Sequence, residues 1–158
     1  MILAALFVAG AAFYTAHLRN PSTGRISEGL RFLEIKDDSS GRICKKWPVK
    51  EGDIFAIEFI HSVHQSPVRE TFRIEGGVIK PEAVNFFSFG AGMQSDLDEG
   101  QTLSRNRDGY VIEGFSNSFP ELNYIVGTVS DHLLFINGET VSLRILCGKN
   151  AHIKITIE

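Results

Sequence analysis

The sequence predicts an all-β domain: an antiparallel β-sandwich, or a small barrel, of roughly ten short strands preceded by an N-terminal hydrophobic segment. Apolar and polar residues alternate in short runs after residue 20, most regularly at the end, where Ile153, Ile155 and Ile157 share one strand face. Turn-forming residues interrupt these runs, and no long run keeps the helical period of about 3.6 residues. Short strands without crossover helices favour antiparallel pairing.

The predicted hairpins are marked by their turn residues. The turn "DDSSG" separates "LRFLEIK" from "GRICKKW", and "SVHQSP" separates "DIFAIEFIH" from "VRETFRIE". Asp108-Gly109 separates a further pair of strands. Asn137-Gly138 joins "LLFI" to "ETVSLRIL" and is the strongest short hairpin signal in the chain.

Length and composition indicate one folded domain. The chain has 158 residues, of which 43% are apolar and 22% charged. We assign residues 29–158 to a single β domain, residues 19–28 to a tether and residues 1–18 to a signal peptide or membrane anchor.

The N-terminal segment favours export over two alternatives, a cytoplasm-facing anchor and a buried helix. From Ile2 to Ala16 it carries no charge, as in a signal-peptide core, but about 15 helical residues rise only about 22 Å against a hydrocarbon core of roughly 30 Å. Arg19, Arg25 and Arg31 follow it, and the positive-inside tendency alone would keep the domain in the cytoplasm. We expect a periplasmic or otherwise extracytoplasmic protein, released or anchored in the inner membrane by this segment.

Charge and motifs limit the partners. The formal net charge is -3 and the basic residues are scattered, so we expect no nucleic acid partner. A dinucleotide fingerprint and a calcium loop are both missing from the sequence, and we expect no cofactor. Cys44 and Cys147 have no CxxC neighbour and can either bridge in an oxidising compartment or remain two semi-buried thiols.

The stretch "IHSVHQSPVRETF" carries the chemistry that stands out most. Strand alternation places His61 on the face of Phe59, and Glu70 on the apolar face of the returning strand. If the turn occupies residues 62–69, His61 and Glu70 come close to facing each other, with their β carbons roughly 5 Å apart.

That pair has a structural and a functional interpretation. As a structural clasp, it would satisfy a carboxylate on an apolar face. As a functional site at the rim of the sheet, it would bind a ligand or partner or handle a proton, with Ser62, His64 and Arg69 close by. A zinc site would add His64 to His61 and Glu70, but a spacing of three along a regular strand puts the two histidines on opposite faces, so we assign no metal. Ser62 lacks a nucleophile elbow, and we assign no catalytic residue.

The stretch "NFFSFGAGMQS" is the second candidate. Its glycines allow close approach or unusual backbone angles, and they favour a bend that lets the strand turn a corner. The alternative is a loop whose amides bind an anion, but Asp96, Asp98 and Glu99 would repel one. We include Phe89, Gly90, Gly92 and Met93 among the binding candidates.

Together these stretches resemble a known bacterial family. "GDIFAIEFIHSVHQSPVRETF", followed by "FSFGAGM" and "DGYVI", is similar to the family called domain of unknown function 1850, over roughly residues 30–157. His61-Ser62-Val63, Pro67 and Glu70 follow the family pattern, as does "FGAG", whereas His64 departs from it. The resemblance implies a small extracytoplasmic protein that is encoded with, or joined to, membrane subunits of tripartite ATP-independent periplasmic (TRAP) transporters of the TAXI type, and it implies no particular reaction.

Two hypotheses follow. The first is a non-enzymatic accessory protein that contacts the transporter's membrane subunit or its solute-binding protein through the His61 and Phe89 stretches. The second is a small metal-binding domain or hydrolase-like enzyme that uses His61, His64 and Glu70.

Overall fold

The computed structural model describes residues 30–62, 65–87 and 96–158 and arranges them in two stacked sheets. Eleven strands and one short helix lie in these ranges. Their bounds are β1 Arg31–Asp37, β2 Ile43–Val49, β3 Ile54–Ile60, β4 Pro67–Glu75, β5 Val78–Phe86, β6 Thr102–Asn106, β7 Gly109–Glu113, β8 Glu121–Ile125, β9 His132–Ile136, β10 Glu139–Ser142, α1 Leu143–Cys147 and β11 His152–Ile157.

The predicted fold class is confirmed in its sandwich form. One sheet has four strands in the order β2-β1-β11-β8, and the other has seven in the order β10-β9-β3-β4-β5-β7-β6. All of the strand pairs are antiparallel. Each sheet buries one face against the other, so the core lies between them.

The alternation predicted for β4 is confirmed. Val68, Glu70, Phe72 and Ile74 are buried on the inner face, and the residues between them are more exposed. Phe72 stacks on Phe55 of β3, with ring centroids 5.2 Å apart. Glu70 therefore lies in the aromatic and aliphatic core, although it is an acid.

The segment predicted as the strand "ETVSLRIL" is a strand only as far as Ser142. Its remaining residues form α1, because the Ser142 hydroxyl accepts a hydrogen bond from the Ile145 N–H at 3.0 Å and caps the helix. Asp131 accepts from both the Ser142 hydroxyl and the Arg144 N–H, which fixes the start of the helix beside β9. Alternation alone overlooked this cap.

A second buried carboxylate lies on the outer face of the four-stranded sheet. Glu34 is 1% exposed and forms ion pairs with Lys36, at 2.6 Å, and with Lys46. Burial alone would raise the pKa of Glu34, but the hydrogen bonds and charges of the two lysines outweigh burial and lower it.

The predicted signal peptide or anchor (residues 1–18) and the tether lie outside the described residues. Among the residues that are described, no helix has the length and apolarity needed to cross a bilayer.

Two hairpin glycines provide a matched pair of substitutions. Gly138 and Gly109 have φ angles of 77° and 122°, so alanine is strained at both. A β carbon at Gly138 would meet open space, whereas one at Gly109 would collide with the carbonyl oxygen of Phe86. We expect Gly138→Ala to cost about 1 kcal/mol in chemical denaturation and Gly109→Ala on the order of 3 kcal/mol. Equal costs would contradict the close approach of Gly109 to β5.

Candidate functional site

Several connections meet at one end of the sandwich, which we call the His61 end. They are the turn after β3, the exit from β5 and residues 126–131 between β8 and β9. Strand register brings them together, since one row of paired residues across the sheet consists of His132, Phe59, Val68 and Phe86. The two stretches singled out in the sequence therefore join the seven-stranded sheet at the same end.

Glu70 lies inside this end of the core. It faces Ile57 across the β3–β4 ladder and is only 3% exposed. Its partner comes from the opposite sheet: the Tyr124 hydroxyl, on β8, donates a hydrogen bond of 2.6 Å to Glu70 Oε2. Burial raises the pKa of Glu70 to about 7, although the hydrogen bond from Tyr124 pulls the pKa down. Burial, followed by the charge and hydrogen bond of Glu70, raises the pKa of Tyr124.

The predicted pairing of His61 with Glu70 across the hairpin is wrong. The turn is shorter than expected, because the His61 N–H donates to the Ser66 carbonyl at 2.8 Å and the Gln65 N–H donates to the His61 carbonyl at 2.9 Å. β4 therefore begins at Pro67, and His61 lies opposite Ser66. Glu70 is four residues further along β4, about 13 Å away at roughly 3.3 Å per residue. His61 is nevertheless buried, as its apolar strand face predicted.

His132 is a buried member of this site that the sequence analysis missed. Its ring stacks on Phe59 at 5.1 Å and meets Tyr124 edge-on at 6.1 Å. Nδ1 accepts a hydrogen bond from the Gly127 N–H at 3.3 Å, so Nε2 carries the ring proton. In the described part of the chain, Nε2 has no hydrogen-bond partner. Burial lowers the pKa of His132, so the imidazole is neutral near pH 7.

The sequence analysis singled out neither His132 nor Tyr124, although strand alternation predicts that both side chains face the core. In "HLLFI", His132 shares a face with Leu134 and Ile136, and in "ELNYI", Tyr124 shares a face with Leu122. The partnership of Tyr124 with Glu70 carries no sequence signal, because it joins strands of different sheets.

The other residues predicted for the site lie on the outer face of the sheet, in the turn after β3 or outside the described residues. Arg69 points to the outer face, where it lies 3.6 Å from the Glu58 carboxylate and 4.1 Å above the Phe135 ring, so it does not join Glu70. Ser62 is in the turn, and its carbonyl accepts a hydrogen bond of 2.6 Å from the Gln65 side chain. His64, Phe89, Gly90, Gly92 and Met93 lie outside the described residues.

The arrangement favours a structural role for Glu70. A carboxyl group with a pKa of about 7 can exchange a proton near neutral pH. The Glu70 carboxyl, however, faces the core and accepts a hydrogen bond from Tyr124. Within residues 30–62, 65–87 and 96–158, no group of three or more His, Cys, Asp or Glu side chains is placed to hold a metal ion. The proposed zinc ligand His64 is not among those residues.

Replacing Glu70 by glutamine should change the pH dependence of stability. The pKa of Glu70 is raised from 4.5 to about 7 on folding, so its stabilising contribution is complete below about pH 4.5 and is lost as the pH rises through 7. The loss is on the order of 3 kcal/mol. Glu70→Gln does not titrate, and its free energy of unfolding relative to wild type should therefore rise by that amount between about pH 4.5 and pH 8, as measured by urea denaturation.

His132 titrates with the opposite sign, because its lowered pKa makes the fold more stable as the pH rises through its range. Because the variant and the wild type both contain His132, its contribution cancels when their free energies of unfolding are subtracted. A difference that does not change with pH would contradict the raised pKa of Glu70.

Tyr124→Phe should destabilise the fold by about 1–3 kcal/mol, because it leaves the buried Glu70 carboxyl without its donor. It should also raise the pKa of Glu70 further, since the hydrogen bond from Tyr124 lowers that pKa. A double-mutant cycle with Glu70→Gln measures the coupling between the two side chains. A coupling energy of zero would show that they do not interact across the core.

Comparison with known proteins identifies the family. Neither the curated proteins nor the solved structures contain a significant match to this chain. The model of the family described as "Domain of unknown function (DUF1850)" matches residues 55–143, more than half of the chain, and this range covers nearly all of the seven-stranded sheet together with β8. Both Glu70 and Tyr124 lie inside it. The family expected from the sequence is thereby confirmed over residues 55–143, a narrower range than the expected 30–157, and the chain belongs to the DUF1850 family.

Proposed function

We propose that this protein is a non-catalytic, extracytoplasmic accessory protein that binds a subunit of a TAXI-type TRAP transporter through the His61 end of its sandwich. The observation that carries the proposal is a group of exposed apolar side chains at that end. The partner is the transporter's membrane subunit or its solute-binding protein.

The exposed group, which we call the apolar rim, consists of Ile60, Phe87 and Val129. Their exposed fractions are 39%, 59% and 93%. Ile60 ends β3, Phe87 follows β5, and Val129 lies in the connection before β9. A hydrogen bond of 3.4 Å from the Ser130 hydroxyl to the Ile60 carbonyl ties that connection to β3. Several exposed apolar side chains at one end of a domain are typical of a surface that a protein partner covers.

The polar groups at the same end support binding rather than catalysis. Glu70 and Tyr124 satisfy each other inside the core, and His132 stacks on Phe59 beneath the surface. A substrate would have to open the sandwich to reach them. They are suited to holding the end rigid, so that the rim keeps its shape for a partner.

The location and the class of partner rest on the sequence. The uncharged segment from Ile2 to Ala16 supports export or anchoring in the inner membrane, and the family resemblance supports the TAXI-type TRAP transporter. An accessory protein held beside the membrane would need only a modest interface, because tethering raises its effective concentration.

Co-purification from the native bacterium tests the proposal. The full chain, tagged at its C-terminus, is recovered from detergent-solubilised membranes, and the accompanying proteins and metals are identified by mass spectrometry. We expect a transporter subunit in stoichiometric amount. Phe87→Asp and Val129→Asp should each reduce its recovery about tenfold or more, because a charge at the centre of an apolar contact costs more than 1.4 kcal/mol of binding.

Leu30→Asp is the matched control. Leu30 is 73% exposed and precedes β1 at the opposite end of the sandwich, so its replacement should leave recovery unchanged. A wild-type chain that is recovered alone, or with a bound metal ion in place of a partner, would refute the accessory role. Equal recovery with the rim variants would refute the rim as the contact surface.

A further inference from the structure

The chain's two cysteines lie at one edge of the sandwich, where the two sheets meet. Cys44 is in β2, the edge strand of the four-stranded sheet, and Cys147 ends α1, which follows the edge strand β10 of the seven-stranded sheet. Both thiols are half-buried and pack against the hydrophobic core. The two are not joined by a disulfide in this structure.

The fold brings these distant residues side by side. α1 packs against β2, and the Cys147 thiol meets the Cys44 thiol. Burial and the hydrogen-bonding contact with Cys44 raise the pKa of the Cys147 thiol. The two thiols are therefore neighbours, as the thiols of a disulfide precursor must be.

Other contacts hold the same edge in place. No strand pairing links β2 to β10, so side chains join the two sheets there. The Trp47 indole N–H donates to the Glu139 carboxylate at 3.2 Å, and the Asn137 side-chain amide donates to the Pro48 carbonyl at 2.9 Å. These bonds fix β2 against the β9–β10 hairpin, and the Ser142 cap fixes the start of α1. The cysteines are thus positioned before any bond forms between them.

We propose that Cys44 and Cys147 form an intrachain disulfide under oxidising conditions, which links β2 to α1 and closes the open edge of the sandwich. The oxidant is a disulfide compound such as oxidised glutathione. One cysteine thiolate attacks it to give a mixed disulfide and one free thiol, and the second cysteine then displaces the other glutathione. The two protein thiols lose two protons and two electrons, and the S–S bond of the oxidant is reduced to two thiols.

The bond should stabilise the domain and should form faster at alkaline pH. It closes a loop that runs from β2 to the end of α1 and contains most of the β domain, so it restricts the unfolded chain strongly. We expect the Tm of the oxidised protein to exceed that of the reduced protein by about 5–15 °C. Because the thiolate is the reactive form and the pKa of Cys147 is raised, bond formation should accelerate as the pH rises above 7.

The test uses the purified full chain, incubated with oxidised glutathione or with reducing agent. Peptide mapping under non-reducing conditions should find the Cys44 peptide joined to the Cys147 peptide in a monomer, and calorimetry should show the rise in Tm. Wild-type protein serves as its own reference, so the test does not depend on a variant that folds. Cys44→Ser and Cys147→Ser should each lose the rise in Tm and retain one glutathione adduct.

Three results would overturn the proposal: two separate glutathione adducts on wild type, an interchain dimer, or an intrachain bond that leaves the Tm unchanged or lowers it. None of these results bears on the transporter partner, so this proposal and the accessory role can fail separately.

Discussion

The hydrogen bond between Glu70 and Tyr124 is the polar contact on which the core at the His61 end depends. It crosses from β4 of the seven-stranded sheet to β8 of the four-stranded sheet and joins two side chains that are almost completely buried. Leaving either group there without a partner would be costly, since an unpaired polar atom in an apolar core costs more than a made hydrogen bond returns. The contact also fixes β8 relative to β4. It thereby helps to position the connection from β8 to His132.

The two glutamates that are buried in the described part of the chain are stabilised in opposite ways. Glu34, beneath the lysine side chains of the four-stranded sheet, stays charged because Lys36 and Lys46 pair with it and lower its pKa. Glu70 has a neutral donor, Tyr124, and burial raises its pKa to about 7. A surface that provides cations can hold a carboxylate, whereas a core that provides only a hydroxyl favours the neutral acid. Glu70 therefore makes the stability of the domain sensitive to pH around neutrality.

Local patterns predicted much of the fold, and long-range contacts account for what they missed. Alternation predicted the buried faces of β4 and β11, and Asn137-Gly138 predicted the turn between β9 and β10. Local patterns suffice here because strand faces and tight turns are decided by neighbouring residues. The short turn after His61 depends on backbone hydrogen bonds that residue types do not specify, so the expected partner of Glu70 was wrong. Tyr124 and the contact of Cys44 with Cys147 depend on how the two sheets stack, which no local pattern reveals.

The most direct test of the buried contact between Glu70 and Tyr124 is the titration of the Glu70 side-chain carboxyl by carbon-13 NMR, with the spectrum of Glu70→Gln used to assign its signal. We expect a midpoint near pH 7, with the carboxyl protonated at pH 5.5 to 6 and still hydrogen-bonded to Tyr124. A midpoint at or below the ordinary value of 4.5 would show that Glu70 is a solvated or ion-paired carboxylate. That result would contradict the buried contact that joins the two sheets.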